Sequence, residues 1–389
     1  MREIRIYCVH GATYDIPSML RYIPFEGLDI TKNFVWDKEK PEYILATDRI
    51  YIRPESAKDF LEISLRNPNS IRILFLREAL YPDLNTFDYA VSFDKNFSCG
   101  DRCARISPYL SLKPDYDYLN AGYFIDNDLT FDNAKLLLQE KKRFCNFIYS
   151  NRHAYKYREG LFYALSDYKR IDSLGKYLNN VGTLLIGEGI KGIKSGSQWM
   201  YDGIKIKSHY KFSIAAENAV FNGYNSEKLF TSLCAHTVPI YCGNPSVTED
   251  YNPEAFINCN DYKNYDEVVK RVKEIDEDDD LWAYIVSRPW QTEAQKETLK
   301  IEWENYKKFM TNIFTQPFED AKRRPQGFNL DLYENSLIRS LKFRVPQDQT
   351  LSVLDALKKP ALFAPLIMRR LRAIFFPMKR TNIDEFFND

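Results

Sequence analysis

The stretch YKFSIAAENAVFNGYNSEKLF, residues 210–230, decides the fold. Its apolar run reads as a strand that ends in a carboxylate and an amide, Glu217 and Asn218. FNGYN then turns the chain with Gly223 as the hinge, and Asn225 or Ser226 caps a helix over 226–236. That places Glu227 and Lys228 in the helix's first turn. A strand, a tight loop and a helix, followed by VPIYCG (238–243), make a βαβ unit, so the sheet is parallel and its ligands bind at the strands' C-terminal edge. A helix N-terminus offers unpaired N–H groups and a partial positive charge. Lys228 adds a full charge that suits a diphosphate. Glu227 suits the two hydroxyls of a ribose, and Tyr224 is available to stack on the same ligand or hydrogen-bond it. Ordinary helix capping accounts for each position taken singly; the cluster as a whole points to a nucleotide-sugar site.

Outward from this unit, short apolar strands alternate with helical patterns along the chain. Strands are expected at 4–9, 43–47, 71–76 and 89–93, with a helix over 54–67. A second series has strands at 144–150, 170–175, 210–218, 238–243 and 255–261, with helices over 153–168, 226–236 and 265–276. In the last helix Val268, Val269, Val272 and Ile275 form one face, and Asn264 with Glu267 has capping-box spacing. EIDEDDD (274–280) reads as a solvated helix end. Two series in tandem predict two doubly wound domains, 1–140 and 141–325, facing each other across a ligand cleft. A third region, 326–389, differs in composition. From Ala356 to Arg380 it carries seven basic residues and no acid, interleaved with Leu, Ile, Met and Phe and broken by prolines. This suits an interfacial helix on an anionic membrane surface; a terminal helix packed on its own domain is the alternative.

Several function classes are disfavoured. Lys plus Arg and Asp plus Glu are each 54, so there is no global basic field for nucleic acid. Seven scattered cysteines fit buried thiols in a reducing compartment. Cys99 and Cys103 lack a second pair to complete a zinc site, and the four histidines show no ligand spacing. The N-terminus enters a strand without a signal-peptide pattern, which predicts a cytoplasmic protein, peripheral on the inner membrane face where its tail docks. GEGIKG (187–192) matches G-x-G-x-x-G, but a Gly/Ser-rich loop follows where a dinucleotide fold needs a helix, so it is read as a loop. No P-loop is present. The pairs Asp115–Asp117 and Asp278–Asp280 are of a kind that chance readily supplies in a chain with this many acids.

Residues 210–262 as a block resemble the signature region of the family 10 glycosyltransferases, the alpha-1,3-fucosyltransferases. An aromatic-Lys-Phe strand, a Glu-Asn pair, a Tyr-x-x-Glu-Lys step and a Val-Pro-x-x-x-Gly strand follow in the family's order. FCNFIYSN (144–151) with Arg158 is similar to the start of the family's donor domain, and FLREALYPDLNTFDYAVSFD (75–94) to an acceptor-domain segment. Beyond about residue 320 no motif matches.

The resemblance implies a GT-B architecture, acceptor domain first and donor domain second. It implies inverting transfer of L-fucose from GDP-beta-L-fucose to the 3-hydroxyl of N-acetylglucosamine in an oligosaccharide or glycolipid. A cell-surface glycan such as lipopolysaccharide O-antigen would be the target. By motif, Arg158 and Lys228 hold the diphosphate, Glu227 the ribose, and Ser150, Asn151, Asn218 and Tyr224 line the donor site. Glu78 is the general base and Glu217 its rival. The sequence departs from the common pattern at Ala79 and at Asn225-Ser226. A divalent cation (Mn or Mg) is expected to stimulate at most. The same fold with another GDP-sugar, an alpha-1,4 linkage or a non-catalytic glycan-binding role is the alternative.

Overall fold

A computed structural model of the chain describes residues 3–10, 20, 27–107, 127, 129–152, 154, 156–181, 198–325, 332, 333 and 336. The GEGIKG loop, Asp115–Asp117 and all but three residues of the basic C-terminal region lie outside these. Among the described residues no helix is long and apolar enough to cross a membrane.

The first half contributes β1 (Ile4–Cys8), the one-turn helix α1 (Ile30–Asn33), β2 (Phe34–Trp36), β3 (Tyr43–Thr47), a second one-turn helix α2 (Arg49–Ile52) and α3 (Pro54–Arg66). It continues with β4 (Ile71–Phe75), β5 (Tyr89–Ser92) and β6 (Cys103–Arg105). These strands form an all-parallel sheet in the order β2-β1-β3-β4-β5-β6. Every residue of β3, β4 and β5 is buried, which is why they read as unbroken apolar runs rather than alternating ones. Pro54 occupies the first turn of α3, where its missing N–H costs nothing.

After α4 (Phe131–Leu138) come β7 (Arg143–Phe147), α5 (Lys156–Tyr168), β8 (Ile171–Ser173), α6 (Gln198–Lys207), β9 (Tyr210–Ala216), α7 (Glu227–Cys234), β10 (Val238–Cys242) and β11 (Ile257–Asn258). The second sheet is also parallel, in the order β11-β10-β9-β7-β8. Three helices follow: α8 (Tyr265–Glu277), α9 (Asp279–Val286) and α10 (Glu293–Thr315). In α8 the expected face is buried at Val268, Val272 and Ile275, and Asn264 accepts from the Glu267 N–H at 3.0 Å. The Glu267 side chain does not close the box; it accepts from the Lys263 N–H.

The structure differs from the sequence reading in several places, among them α6, which begins at Gln198 inside the stretch read as a Gly/Ser-rich loop. The expected strand 255–261 shrinks to two residues of β11, because two short 3₁₀ turns, Pro253–Ala255 and Cys259–Asp261, take up its ends. EIDEDDD is the exposed end of α8, as expected, but it runs straight into a further helix: Asp278 caps α9, accepting from the Leu281 N–H at 2.9 Å, and Trp282 behind it is fully buried. The short strands β2 and β6 extend the first sheet beyond the four strands expected. The largest difference is α10, which a Thr292–Gln295 capping box starts and which returns to the first sheet. Phe314 packs edge-on to Phe34 at 5.0 Å and against Tyr43 at 4.8 Å, while the Tyr43 hydroxyl donates to the Ile313 carbonyl. Met310, Ile313 and Phe314 thereby join the core that holds Ile4, Ile73 and Tyr89. Residues read as one continuous second domain thus lie partly on the first.

Candidate functional site

The chain leaving β9 builds the second sheet's side of the site. Glu217 is fully buried and both its oxygens are occupied: Oε1 by the Ser226 N–H at 2.8 Å, Oε2 by the Ser226 hydroxyl and by Lys228 Nζ at 3.3 Å. Gly243 makes this possible, since a Cβ there would lie 2.5 Å from Glu217 Cγ. Ser226 therefore stands at the N-cap of α7 but gives its side chain to Glu217 rather than to the helix. Lys228 also contacts Ser226 Oγ at 2.8 Å and Glu227 Oε1 at 3.4 Å. Burial alone would pull the Lys228 ammonium down, but Glu227 and Glu217 beside it hold it well above the usual lysine value. Burial works against the Glu227 carboxylate in the same way, but Lys228, a backbone N–H and Lys207 together outweigh it, so Glu227 sits below its ordinary value. Behind them Lys207, at the end of α6, bonds Thr231 Oγ1 at 2.7 Å and Ser232 Oγ at 3.1 Å on α7, and burial lowers it to about 8. Two lysines and two carboxylates thus share the start of one helix.

Arg158, on α5, is the next component. It is among the most deeply buried side chains, stacked 4.2 Å from the Tyr149 ring centroid. Its guanidinium donates to Asn218 Oδ1 at 3.1 Å and to the Asn151 carbonyl. Among the described residues no carboxylate pairs with it. A buried cation without a counter-charge is costly, and an anionic ligand relieves that cost. Asn218 and the 150–151 segment converge on this one side chain from the ends of β9 and β7. Ser150 and Asn151 are exposed there.

The first sheet supplies the opposite wall. Glu78 follows the end of β4, and its Oε2 accepts from the Tyr224 hydroxyl at 3.0 Å, joining the two halves. Tyr224 is 2% exposed and its ring packs edge-on to Phe93 at 5.5 Å. Tyr224, expected to stack on or hydrogen-bond a ligand, here has its ring against Phe93 and its hydroxyl on Glu78. The expectation of Glu217 as rival base meets a similar obstacle, because a base needs reach to a substrate proton and Glu217 has neither exposure nor a free oxygen.

Around this contact Asn222 donates to Asp94 Oδ1 at 3.0 Å, and Gly223 adopts φ 76° with its N–H on Asn244 Oδ1. A Cβ at Gly223 would lie 2.2 Å from the Phe93 carbonyl oxygen. A second bridge runs from Arg105 on β6 to Asp250 at 2.7 Å and to Glu302 on α10.

Sequence reasoning missed Asp48, Lys207 and Arg105. Asp48 is buried next to Glu78, with no partner for its Oδ2, and its carboxyl is pushed up to about 7 by burial and then by the Glu78 charge. No local pattern marks these residues, because each owes its role to a neighbour far along the chain. Among the described residues no group of three His, Cys, Asp or Glu could hold a metal ion. Asp278 and Asp280 serve as a helix cap and as an ion-pair partner of Lys135.

Residues 138–322 match the model of glycosyltransferase family 10 (fucosyltransferase), C-terminal part. An alpha-(1,3)-fucosyltransferase of Helicobacter pylori is 29% identical over 233 residues, 53% of this chain and 44% of that protein. An alpha-(1,4)-fucosyltransferase of Arabidopsis thaliana is 32% identical over 149 residues, 37% of this chain and 36% of that protein. The chain therefore spans less than half the length of these curated relatives. A crystal structure of an alpha1,3-fucosyltransferase superimposes with a TM-score of 0.61 at 20% identity, over 84% of this chain and 93% of that one. At that identity the likeness speaks for the fold: two facing parallel α/β units, the GT-B architecture.

Proposed function

We propose, from the match of residues 138–322 to the model of glycosyltransferase family 10 (fucosyltransferase), C-terminal part, that the chain transfers L-fucose, with inversion, from GDP-beta-L-fucose to the 3-hydroxyl of N-acetylglucosamine in an N-acetyllactosamine-type acceptor. The observation that carries this reading is the 3.0 Å contact between Glu78 and Tyr224. It sets a carboxylate of one half against the loop that leads into Glu227 and Lys228 of the other.

In the proposed reaction Glu78 takes the proton of the acceptor hydroxyl. The freed oxygen attacks the anomeric carbon on the face opposite the nucleotide, and the bond to the β-phosphate breaks, its electron pair leaving with GDP. Arg158, Lys228 and the start of α7 meet the charge that develops on the diphosphate. Glu227 accepts from the ribose hydroxyls, and Asn218 holds the Arg158 guanidinium in place. These cations can do the electrostatic work that a metal does elsewhere, so Mn or Mg is proposed to stimulate at most. An acceptor on a lipid-linked cell-surface glycan, such as an O-antigen, gives the basic C-terminal region its purpose at the inner face of the membrane.

The Arabidopsis relative supports a second reading of the linkage, alpha-1,4. Incubation with GDP-fucose and a panel of N-acetyllactosamine, lacto-N-biose and glucose-terminated acceptors, with and without chelator, tests both. The expected result is GDP release and an alpha-1,3 product on N-acetyllactosamine that survives chelation. An alpha-1,4 product overturns the linkage, and transfer from another GDP-hexose alone overturns the donor.

A further inference from the structure

We propose that Tyr81 is the platform on which the acceptor's sugar ring stacks while its hydroxyl meets Glu78; this deepens the transferase reading above and rests on it.

Tyr81 is 60% exposed, yet it is restrained on several sides. Its hydroxyl donates to Asp94 Oδ2 at 3.2 Å, and its ring lies 5.7 Å from Phe97 and 5.0 Å from Phe221. Asp94 is itself buried and tied to Asn222 from the second half. The backbone is restrained as well: Leu80 N–H returns to the Glu78 carbonyl at 2.8 Å, and Pro82 confines the residue before it to extended conformations. A large aromatic ring left open to water, but fixed by its hydroxyl, its edges and its backbone, has already lost the rotamer freedom that ligand binding would otherwise cost.

The ligand chemistry follows from the ring and its place. A tyrosine face takes the C–H face of a pyranose by apolar contact, while the hydroxyls around the sugar's rim stay available to polar partners. Tyr81 follows Glu78 by three residues, and its ring neighbour Phe221 precedes by three the Tyr224 that bonds Glu78, so ring and carboxylate share one domain junction. Phe221 belongs to the loop between β9 and α7, so the shelf spans both halves, as an acceptor held between base and donor requires. The donor's guanine is the competing occupant. It is disfavoured because the diphosphate cations Arg158 and Lys228 gather at the ends of β7 and β9 and the start of α7, on the second half, whereas Tyr81 and Phe97 belong to the first.

Steady-state kinetics of Tyr81→Ala and Tyr81→Phe with an N-acetyllactosamine acceptor, together with calorimetric titration of GDP-fucose, test this. An exposed side chain can be removed without loss of fold, and far-UV circular dichroism checks that it was. Tyr81→Ala is expected to raise the acceptor KM roughly tenfold with the GDP-fucose affinity unchanged. Tyr81→Phe, which keeps the ring, is expected to stay within about threefold of the native value. An unchanged acceptor KM in Tyr81→Ala overturns the proposal, as does a loss confined to GDP-fucose binding, which would assign the ring to the guanine. If the native protein neither binds GDP-fucose nor turns it over, the transferase reading itself fails, an outcome distinct from both.

Discussion

At the scale of single residues, two carboxylates that look equivalent in sequence are separated by burial. Glu217 has both oxygens filled by Ser226 and Lys228, whereas Glu78 keeps one oxygen outside its contact with Tyr224. Glu217→Gln removes one of the two charges that Lys228 faces and is expected to cost on the order of 2 kcal/mol, read as a lower urea midpoint. If that variant keeps its stability but loses all turnover, Glu217 has a chemical role after all. Asp48 makes a pH prediction. Its folded-state value of about 7 lies above the value of an unfolded aspartate, so the native state binds the proton more tightly. Its contribution to stability is complete below about pH 4 and is lost as pH rises through about 7, on the order of 4 kcal/mol in all. Asp48→Asn should therefore lose less stability than the native protein between about pH 4 and about pH 7; equal losses would remove Asp48 from the account. Glu227 and Lys228 could be read from the sequence because a strand, a turn and a helix start fix them locally. Asp48 and Lys207 could not, since their burial and the Glu78 charge beside Asp48 arise only when segments distant in sequence come together.

At the scale of elements, most of the β/α alternation was legible, because parallel strands covered on both faces leave uninterrupted apolar runs such as YILAT, IRILF and VPIYC. Strand ends were less so: β7 stops at Phe147, three residues short of the apolar run that suggested it, and its continuation carries Tyr149 under Arg158. The edge strands β2 and β6 escaped notice because three residues give too little periodicity to recognise. The loop between β9 and α7 is the element on which the site depends. Gly223 there combines a left-handed backbone with a close approach to the Phe93 carbonyl, so any side chain both strains the turn and pushes the halves apart. Gly223→Ala is expected to lower stability by roughly 2 kcal/mol or more and to reduce turnover with it. A variant with native thermal stability and native rate would show that the contact yields.

At the scale of the whole molecule, the sequence indicated two units and a cleft, but not how the units are held together. That is done by α10 returning to the first sheet and by Arg105 reaching Asp250 and Glu302, contacts between residues 145 and 197 positions apart. Long-range pairings of this kind leave no local pattern, since a surface helix and a domain-bridging helix share the same periodicity. The same assembly brings Glu78 to Tyr224, in the loop that leads into Glu227 and Lys228. The central claim is that base and donor site belong to different halves of the chain. Glu78→Gln tests it most directly when GDP-fucose affinity by calorimetry and fucosyl transfer by GDP release are measured on the same preparation. The account predicts a donor affinity within about twofold of native and a turnover reduced by about a hundredfold or more. Near-native turnover in Glu78→Gln would contradict it.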